Sequence, residues 1–432
     1  MKLKKSIYLA LSSNVIYNSH EKIIKKASKI GNLTIGLLTD NAIIKYKTLP
    51  HLTYDERKEE LNKYKKYITN IIPQEELDYS KNLKKIKPDY VIHGDDWKKG
   101  IQKKTRNKII KLLKKWSGKL IEVPYDYNFP KYKVEKIIKK IGTNPENRRP
   151  KIKRLLNCDG VIRLIEAHSP ISGIIGETAK YISKDKFREF HGLWSSSLTD
   201  SVSRGKPDNQ SVDFSKRQSN LDDILEVTTK PIIFDGDNGG EIVHISYLIR
   251  NLERSGVSAV ILEDKIGEKI NSLANNQKIN SQDTIKNFSK KIKVACESRI
   301  SKDFLIIARI ESLVLGKDIK DAVKRAISYS KVGADLIYLS SKINNASEMI
   351  AFYKAFKKSK YFKPLACSPS TYSSTSEKIL EKNGYKIIIY ANHLLRSIYP
   401  AMQKVAFNIL KNQRAYDIEN KLISIKQILK LF

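Results

Sequence analysis

From Gly160 onward, short apolar runs alternate with amphipathic stretches eight times, and this constrains the fold more than any other feature. The runs lie at 161–167, 192–196, 231–234, 259–262, 304–308, 336–339, 364–367 and 386–390. Each is too short for a core helix and rich in Ile, Val and Leu, so each reads as a strand buried on both faces. Helical segments such as 242–254 and 319–332 separate them. Consecutive strands joined through helices run parallel. Eight such units in about 240 residues predict one closed (β/α)₈ barrel.

The 432 residues are too many for that barrel alone. Upstream, apolar runs at 7–13, 33–38, 90–93 and 120–123 alternate with helical stretches at 21–30, 54–68 and 104–116. This second βα pattern predicts a doubly wound, Rossmann-like α/β domain over residues 1–130. Residues 131–157 carry prolines and polar residues and read as a linker with one helix near 134–141, which leaves 158–432 to the barrel. The basic, apolar, small-residue start looks like a signal peptide, but the continuing βα pattern makes it a first strand. No stretch approaches the ~20 apolar residues of a membrane span. Three cysteines without metal-ligand spacing fit a reducing cytoplasm. The net charge of +35 comes mainly from lysines spread over helix faces, without a nucleic-acid-binding motif. Nucleic acid is therefore not the expected partner, although a positive field recruits small anions.

In a barrel of this kind the residues just past each strand line the active site. Here they are Glu166 and His168, then Trp194, Ser196 and Leu198, with Asp200, Arg204 and Asp208 in the long loop that follows. Asp235 and Asp237 come after strand three, and Glu263, Asp264, Lys265, Lys269, Asn271 and Ser272 after strand four. Arg309 and Glu311, then Ser340, Ser341 and Lys342, Ser368 and Ser370, and finally Asn392 and His393 complete the set. One aspartate at a strand end is ordinarily a turn former or helix cap. Three acids on neighbouring strands, Asp235, Asp237 and Glu263, with Arg309 on the next, favour a Mg²⁺ site, since that ion takes one or two carboxylates and keeps its waters. No Ser/His/Asp set stands in a known order, and the strand-four loop has no Cys, which argues against acyl transfer and thiol chemistry. The barrel reads as built for an anionic substrate held by Mg²⁺ and Arg, with an enolate as the expected intermediate.

Several motifs resemble the phosphoenolpyruvate mutase family: Glu166-Ala-His168, Gly192-Leu-Trp-Ser-Ser-Ser-Leu198, Asp235-Gly-Asp237, Ala308-Arg-Ile-Glu-Ser312 and Tyr390-Ala-Asn-His-Leu-Leu-Arg396. Most specific is Glu263-Asp-Lys265 followed, five residues on, by Asn271-Ser272, which resembles that family's gating loop. The resemblance implies interconversion of phosphoenolpyruvate and phosphonopyruvate by a cytoplasmic homo-oligomer. It implies that Asp235 holds Mg²⁺, with Asp237 and Glu263 acting through water. Amides near Ser197 and Leu198 would take the pyruvyl oxygens beside Trp194 and Ser196, and Arg309 the phosphoryl oxygens. Lys269, Asn271 and Ser272 would close over substrate, and Asp208 matches the family's essential aspartate. Isocitrate-type lyases carry a loop Cys that is absent here, and phosphonopyruvate hydrolase has Thr where this chain has Asn271. A hydrolase or C–C lyase of the same superfamily, or an inactive barrel kept for binding, are the alternatives. Two positions depart from the family: Ser340 replaces a phosphoryl-binding His, and Ser197 a Gly. Ser340→His would then restore a missing ligand, unless Lys342 or a water has taken over the contact.

The N-terminal domain resembles the cytidylyltransferase-like domain fused to some bacterial mutases, through Leu38-Thr-Asp40, Tyr54-Asp-Glu-Arg57 and His93-Gly-Asp-Asp-Trp97. Active members use His-x-Gly-His to bind nucleotide phosphates. Here the run is Tyr17-Asn-Ser-His20, which keeps only His20. The Ser/Thr-rich signature expected after the last strand is missing from 122–129, so the resemblance implies a degenerate nucleotidyltransferase.

Overall fold

A computed structural model describes residues 4–12, 14–124, 131–183 and 186–431. The chain divides into two units, one of residues 1–147, 154–159 and 180–189, the other of residues 148–153, 160–179 and 190–432.

The first unit holds a parallel sheet of β1 (Lys5–Leu11), β2 (Gly31–Leu38), β3 (Asn70–Gln74), β4 (Tyr90–Gly94) and β5 (Lys119–Val123), in the order β3-β2-β1-β4-β5. β1 is central because both of its faces are apolar. Ile7 and Leu9 pack with Ile24 and Ala27 on one side, and Tyr8 and Ala10 with Leu83 and Ile109 on the other. The doubly wound domain is thus borne out, but β3 is a strand that the pattern did not predict. Asn70-Ile-Ile-Pro-Gln74 offers two apolar residues and a proline, and the proline is tolerated because β3 lies at the sheet edge. The helix expected over 54–68 ends sooner, as Tyr54–Asn62 with a Thr53 capping box, and a short 3₁₀ turn follows at Lys65–Tyr67.

In the second unit β6 (Ile162–Glu166) is followed in the chain by a hairpin, β7 (Lys180–Ile182) and β8 (Phe187–Glu189), which is counted with the first unit. The barrel continues through β9 (Gly192–Ser195), β10 (Ile232–Asp235), β11 (Ala259–Glu263), β12 (Leu305–Ile310), β13 (Leu336–Leu339), β14 (Leu365–Cys367) and β15 (Tyr385–Tyr390). All eight barrel strands pair in parallel, and β15 closes onto β6. The eight-fold alternation is therefore borne out. The hairpin was not expected, because three-residue strands carry no readable period. Helices seal the outside with residues such as Phe288, Phe352 and Phe356, all fully buried. Each such side chain contributes about 1.5–3 kcal/mol by leaving water. That tightly packed wall fixes the strand ends on which the polar residues sit.

Candidate active site

At the C-terminal ends of the strands, a pocket of about 80 Å³ is lined by Trp194, Ser196, Ser197, Leu198, Asp208, Asp235, Glu263, Lys269, Asn271, Ser272, Arg309 and Ser340, among others. Asp237 stands just behind this lining and is reached through Lys269. The strand ends thus bring together the substrate- and metal-binding residues that the resemblance implied, while Asp200, Arg204, Asp264, Lys265, Glu311, Lys342 and His393 stay outside the lining. Glu166 and His168 are elsewhere: they pair with each other (2.8 Å), and Glu166 accepts the Leu395 amide, which anchors the start of the helix His393–Asn412.

After β9, Ser196 caps the helix Ser197–Val202, so Ser197 presents its amide and hydroxyl at a helix N-terminus. Both are directed at Asp235 Oδ2, the hydroxyl at 2.9 Å and the amide at 3.3 Å. After β10 the chain turns sharply. A Cβ at Gly236 would lie 2.7 Å from Leu262 Cδ2 and 3.0 Å from Ile261 O, so only glycine fits between the two aspartates. Asp237 then takes a left-handed backbone (φ 49°), which aspartate tolerates better than most residues. Burial alone would raise the Asp235 carboxyl. The cations of Lys269, Arg309 and Arg217 outweigh that and hold it below the usual range.

Arg217 escaped the sequence reading. It is buried on the helix Phe214–Val227, donates to Asp200 Oδ2 (3.0 Å) and Asp237 Oδ2 (3.4 Å), and lies 4.3 Å over the Phe234 ring. The signal was present: residue 217 shares a helix face with Leu221 and Ile224, where a surface arginine would not be placed.

The far wall is built on Arg309. It donates to Glu311 Oε1 (2.5 Å), to Ser272 Oγ (2.7 Å) and to Ser340 Oγ (3.2 Å), and its guanidinium lies 5.2 Å from the Tyr338 ring centre. Ser340 and Ser272 in turn donate to the two oxygens of Glu311, each at 2.6 Å. Lys342 is turned away from this wall and donates to Ala274 O (2.7 Å) in the loop.

The loop after β11 closes the site. Its neck is a bridge between Lys265 and Gln282, and its base is the buried Asp264. At its tip the Lys269 ammonium meets Asp208 (2.7 Å), Ser197 Oγ (2.5 Å) and Asp237, and Asn271 donates to Asp208 (2.6 Å).

A hard divalent cation fits this donor set, which is all oxygen. Burial pushes the Glu263 carboxyl up to about 7; Arg309 opposes this, and nearby Glu311 adds to it. A carboxylate so poorly compensated is one that a cation would satisfy. Among the described residues no three acidic, His or Cys side chains form a group that could hold a metal ion, so the three acids expected at one ion do not meet as a ready-made cage.

In the first unit a cavity of about 350 Å³ opens beside the ends of β1 and β4, where the strand order reverses and α/β sheets bind ligands. His20 lines it, packed 4.1 Å from the Tyr17 ring. Burial and then Lys47 bring the imidazole down to about 4, and among the described residues its Nδ1 has no hydrogen-bond partner. Two of the motif segments meet, since Arg57 donates to Leu38 O (2.8 Å) and Asp40 (3.0 Å), and within the third His93 stacks on Trp97 at 3.7 Å. Of the signature region 122–129, residues 125–129 lie outside the described residues.

A closed parallel barrel with Lys269 and Arg309 among clustered carboxylates at its C-terminal face defines a (β/α)₈-barrel enzyme. The chain belongs to the phosphoenolpyruvate phosphomutase family, whose model matches residues 152–410, and residues 14–153 match a cytidylyltransferase-like domain. The phosphoenolpyruvate phosphomutase of Tetrahymena pyriformis is 30% identical over 281 residues, covering 65% of this chain and 89% of that protein. A phosphoenolpyruvate phosphomutase structure from Streptomyces platensis subsp. rosaceus is similar at 27% identity with a TM-score of 0.61, covering 66% of this chain and 94% of that one. A phosphonopyruvate hydrolase in complex with oxalate and Mg²⁺ is similar at 27% identity with a TM-score of 0.58 and the same coverage. Among the described residues no helix is long and apolar enough to cross a membrane.

Proposed function

We propose that the barrel interconverts phosphoenolpyruvate and phosphonopyruvate by intramolecular phosphoryl transfer, the first step of phosphonate biosynthesis. The observation that carries this reading is the clasp of Asp208 with Lys269 and Asn271, which shuts the loop over the pocket of Asp235, Glu263 and Arg309. Asp235 would hold Mg²⁺, with Asp237 and Glu263 acting through its waters. When bound, the ion supplies positive charge to the pyruvyl oxygens. Arg309 holds the phosphoryl oxygens while the P–O bond breaks and the enolate oxygen keeps the electron pair. The amides of Ser197 and Leu198 hold the pyruvyl end while its C3 turns to phosphorus and the P–C bond forms, so no proton is exchanged. Transfer through a loose, metaphosphate-like state needs positioning and charge more than covalent help. Water must be kept out, since it would capture the phosphoryl group. The loop does this with Lys269 and Asn271, and Asn271 favours the mutase over the hydrolase.

We also read the protein as a cytoplasmic homo-oligomer whose N-terminal cavity does not turn over CTP, since Tyr17 stands where a phosphate-binding His belongs. Phosphorus NMR of purified protein with phosphonopyruvate and Mg²⁺ should show phosphoenolpyruvate appear and a chelator stop it. Added CTP with a phosphonate alcohol should release no pyrophosphate. If pyruvate and phosphate form instead, the barrel is a hydrolase.

A further inference from the structure

The hydroxyl of Ser197 stands at a junction of three elements. It is buried at the start of the helix Ser197–Val202, donates to Asp235 Oδ2 at the end of β10 (2.9 Å), and accepts from the Lys269 ammonium of the closing loop (2.5 Å). A glycine here, as in the family pattern, would offer only its amide, and that amide already reaches the same Asp235 oxygen at 3.3 Å. The hydroxyl therefore adds a bond chain that an amide cannot make, from loop ammonium through oxygen to carboxylate. Lys269 has two other partners, Asp208 on the long loop and Asp237 beyond the β10 turn; the Asp237 amide reaches Asp235 Oδ1 (3.2 Å), and among the described residues only Ser197 links the ammonium to Oδ2.

We propose that Ser197 is a positioning residue: its hydroxyl latches the closed loop through Lys269 and, by the same bond chain, sets the orientation of the Asp235 carboxylate. Only the consequence for turnover rests on the reaction proposed above; the latch itself does not. A hydrogen bond to a charged group is strong enough for its loss to open the loop about tenfold more often.

The test is limited trypsin digestion of the metal-free full-length protein, since the bond after Lys269 is cut only when that side chain leaves its burial. Ser197→Ala and Ser197→Gly should be cut after Lys269 about tenfold faster than wild type, relative to exposed lysines elsewhere, and Ser197→Thr should return toward the wild-type rate. An unchanged rate in Ser197→Ala overturns the proposal. So does a Thr variant cut as fast as Ala, for then packing and not the hydroxyl holds the loop. With phosphonopyruvate and Mg²⁺, the Ala variant should divert a larger share of turnover to pyruvate and phosphate. A wild type without mutase activity but with hydroxyl-dependent cutting would leave the latch standing and remove the reaction.

Discussion

Ser340 shows how one residue changes meaning between sequence and structure. By resemblance it is the lost partner of a phosphoryl group. In the folded chain its hydroxyl donates to Glu311 and accepts from Arg309, so it helps aim the guanidinium. An imidazole at this buried position would have to push that pair apart. Ser340→His should therefore lower kcat/KM about tenfold instead of restoring a ligand, and a rise in steady-state kinetics would show that the wall is not built around serine. Arg309→Ala should cost at least about a hundredfold in either background, the usual loss for one donor to a developing oxyanion. The positions of Asp235, Glu263 and Arg309 were legible because each follows an apolar run. How they are partnered was not, because Glu311, Ser272 and Ser340, though named from the same pattern, bond to Arg309 and one another only when three strand ends converge.

The closing loop depends on an element far from it in sequence. Asp264 at its base accepts from the Glu311 amide (2.9 Å), Gln282 (3.0 Å), Tyr329 (2.8 Å) and Arg325 (3.1 Å), the last two lying on the helix Ile319–Lys331. Burial raises the Asp264 carboxyl, and Arg325 opposes that shift, so the pair stands by mutual charge. Removing one partner of a buried pair strands the other. Asp264→Ala should destabilise the barrel by about 3–5 kcal/mol in urea denaturation, and the nearly isosteric Asp264→Asn by clearly less. Equal losses would show that shape, not charge, matters here. Nothing in Glu263-Asp-Lys265 separates a pocket acid from an anchoring one. Glu263, the last residue of β11, lines the pocket, while Asp264 just beyond the strand turns to Arg325 and Tyr329, and the sorting needs to know what packs behind.

For the whole molecule, the helix His393–Asn412 has no buried residue, and Tyr399, Phe407 and Leu410 are each more than 70% exposed. On the first barrel helix, Pro170–Thr178, Ile171 and Ile175 are also exposed, at 51% and 44%. So much apolar surface on two helices of one barrel is what an association surface looks like. Light scattering after size exclusion should give a mass above that of a single chain. Replacing Tyr399, Phe407 and Leu410 together by Ser should return the protein to a monomer; a monomeric wild type would refute the oligomer.

By itself the sequence determined the periodicities, and with them the doubly wound sheet, the eight-stranded barrel and the list of polar residues at strand ends. Those follow from local rules: strand length, apolar run and helix spacing repeat within a few residues. Only the tertiary structure decided that β3 is a strand, that Arg217 is drawn in between Asp200 and Asp237, and that Ser197 and Ser340 are engaged through their hydroxyls. The reason is physical. A proline-bearing segment becomes a strand only when an edge is open to it, and a buried charge or hydroxyl is placed by partners tens of residues away, whose positions no local pattern encodes.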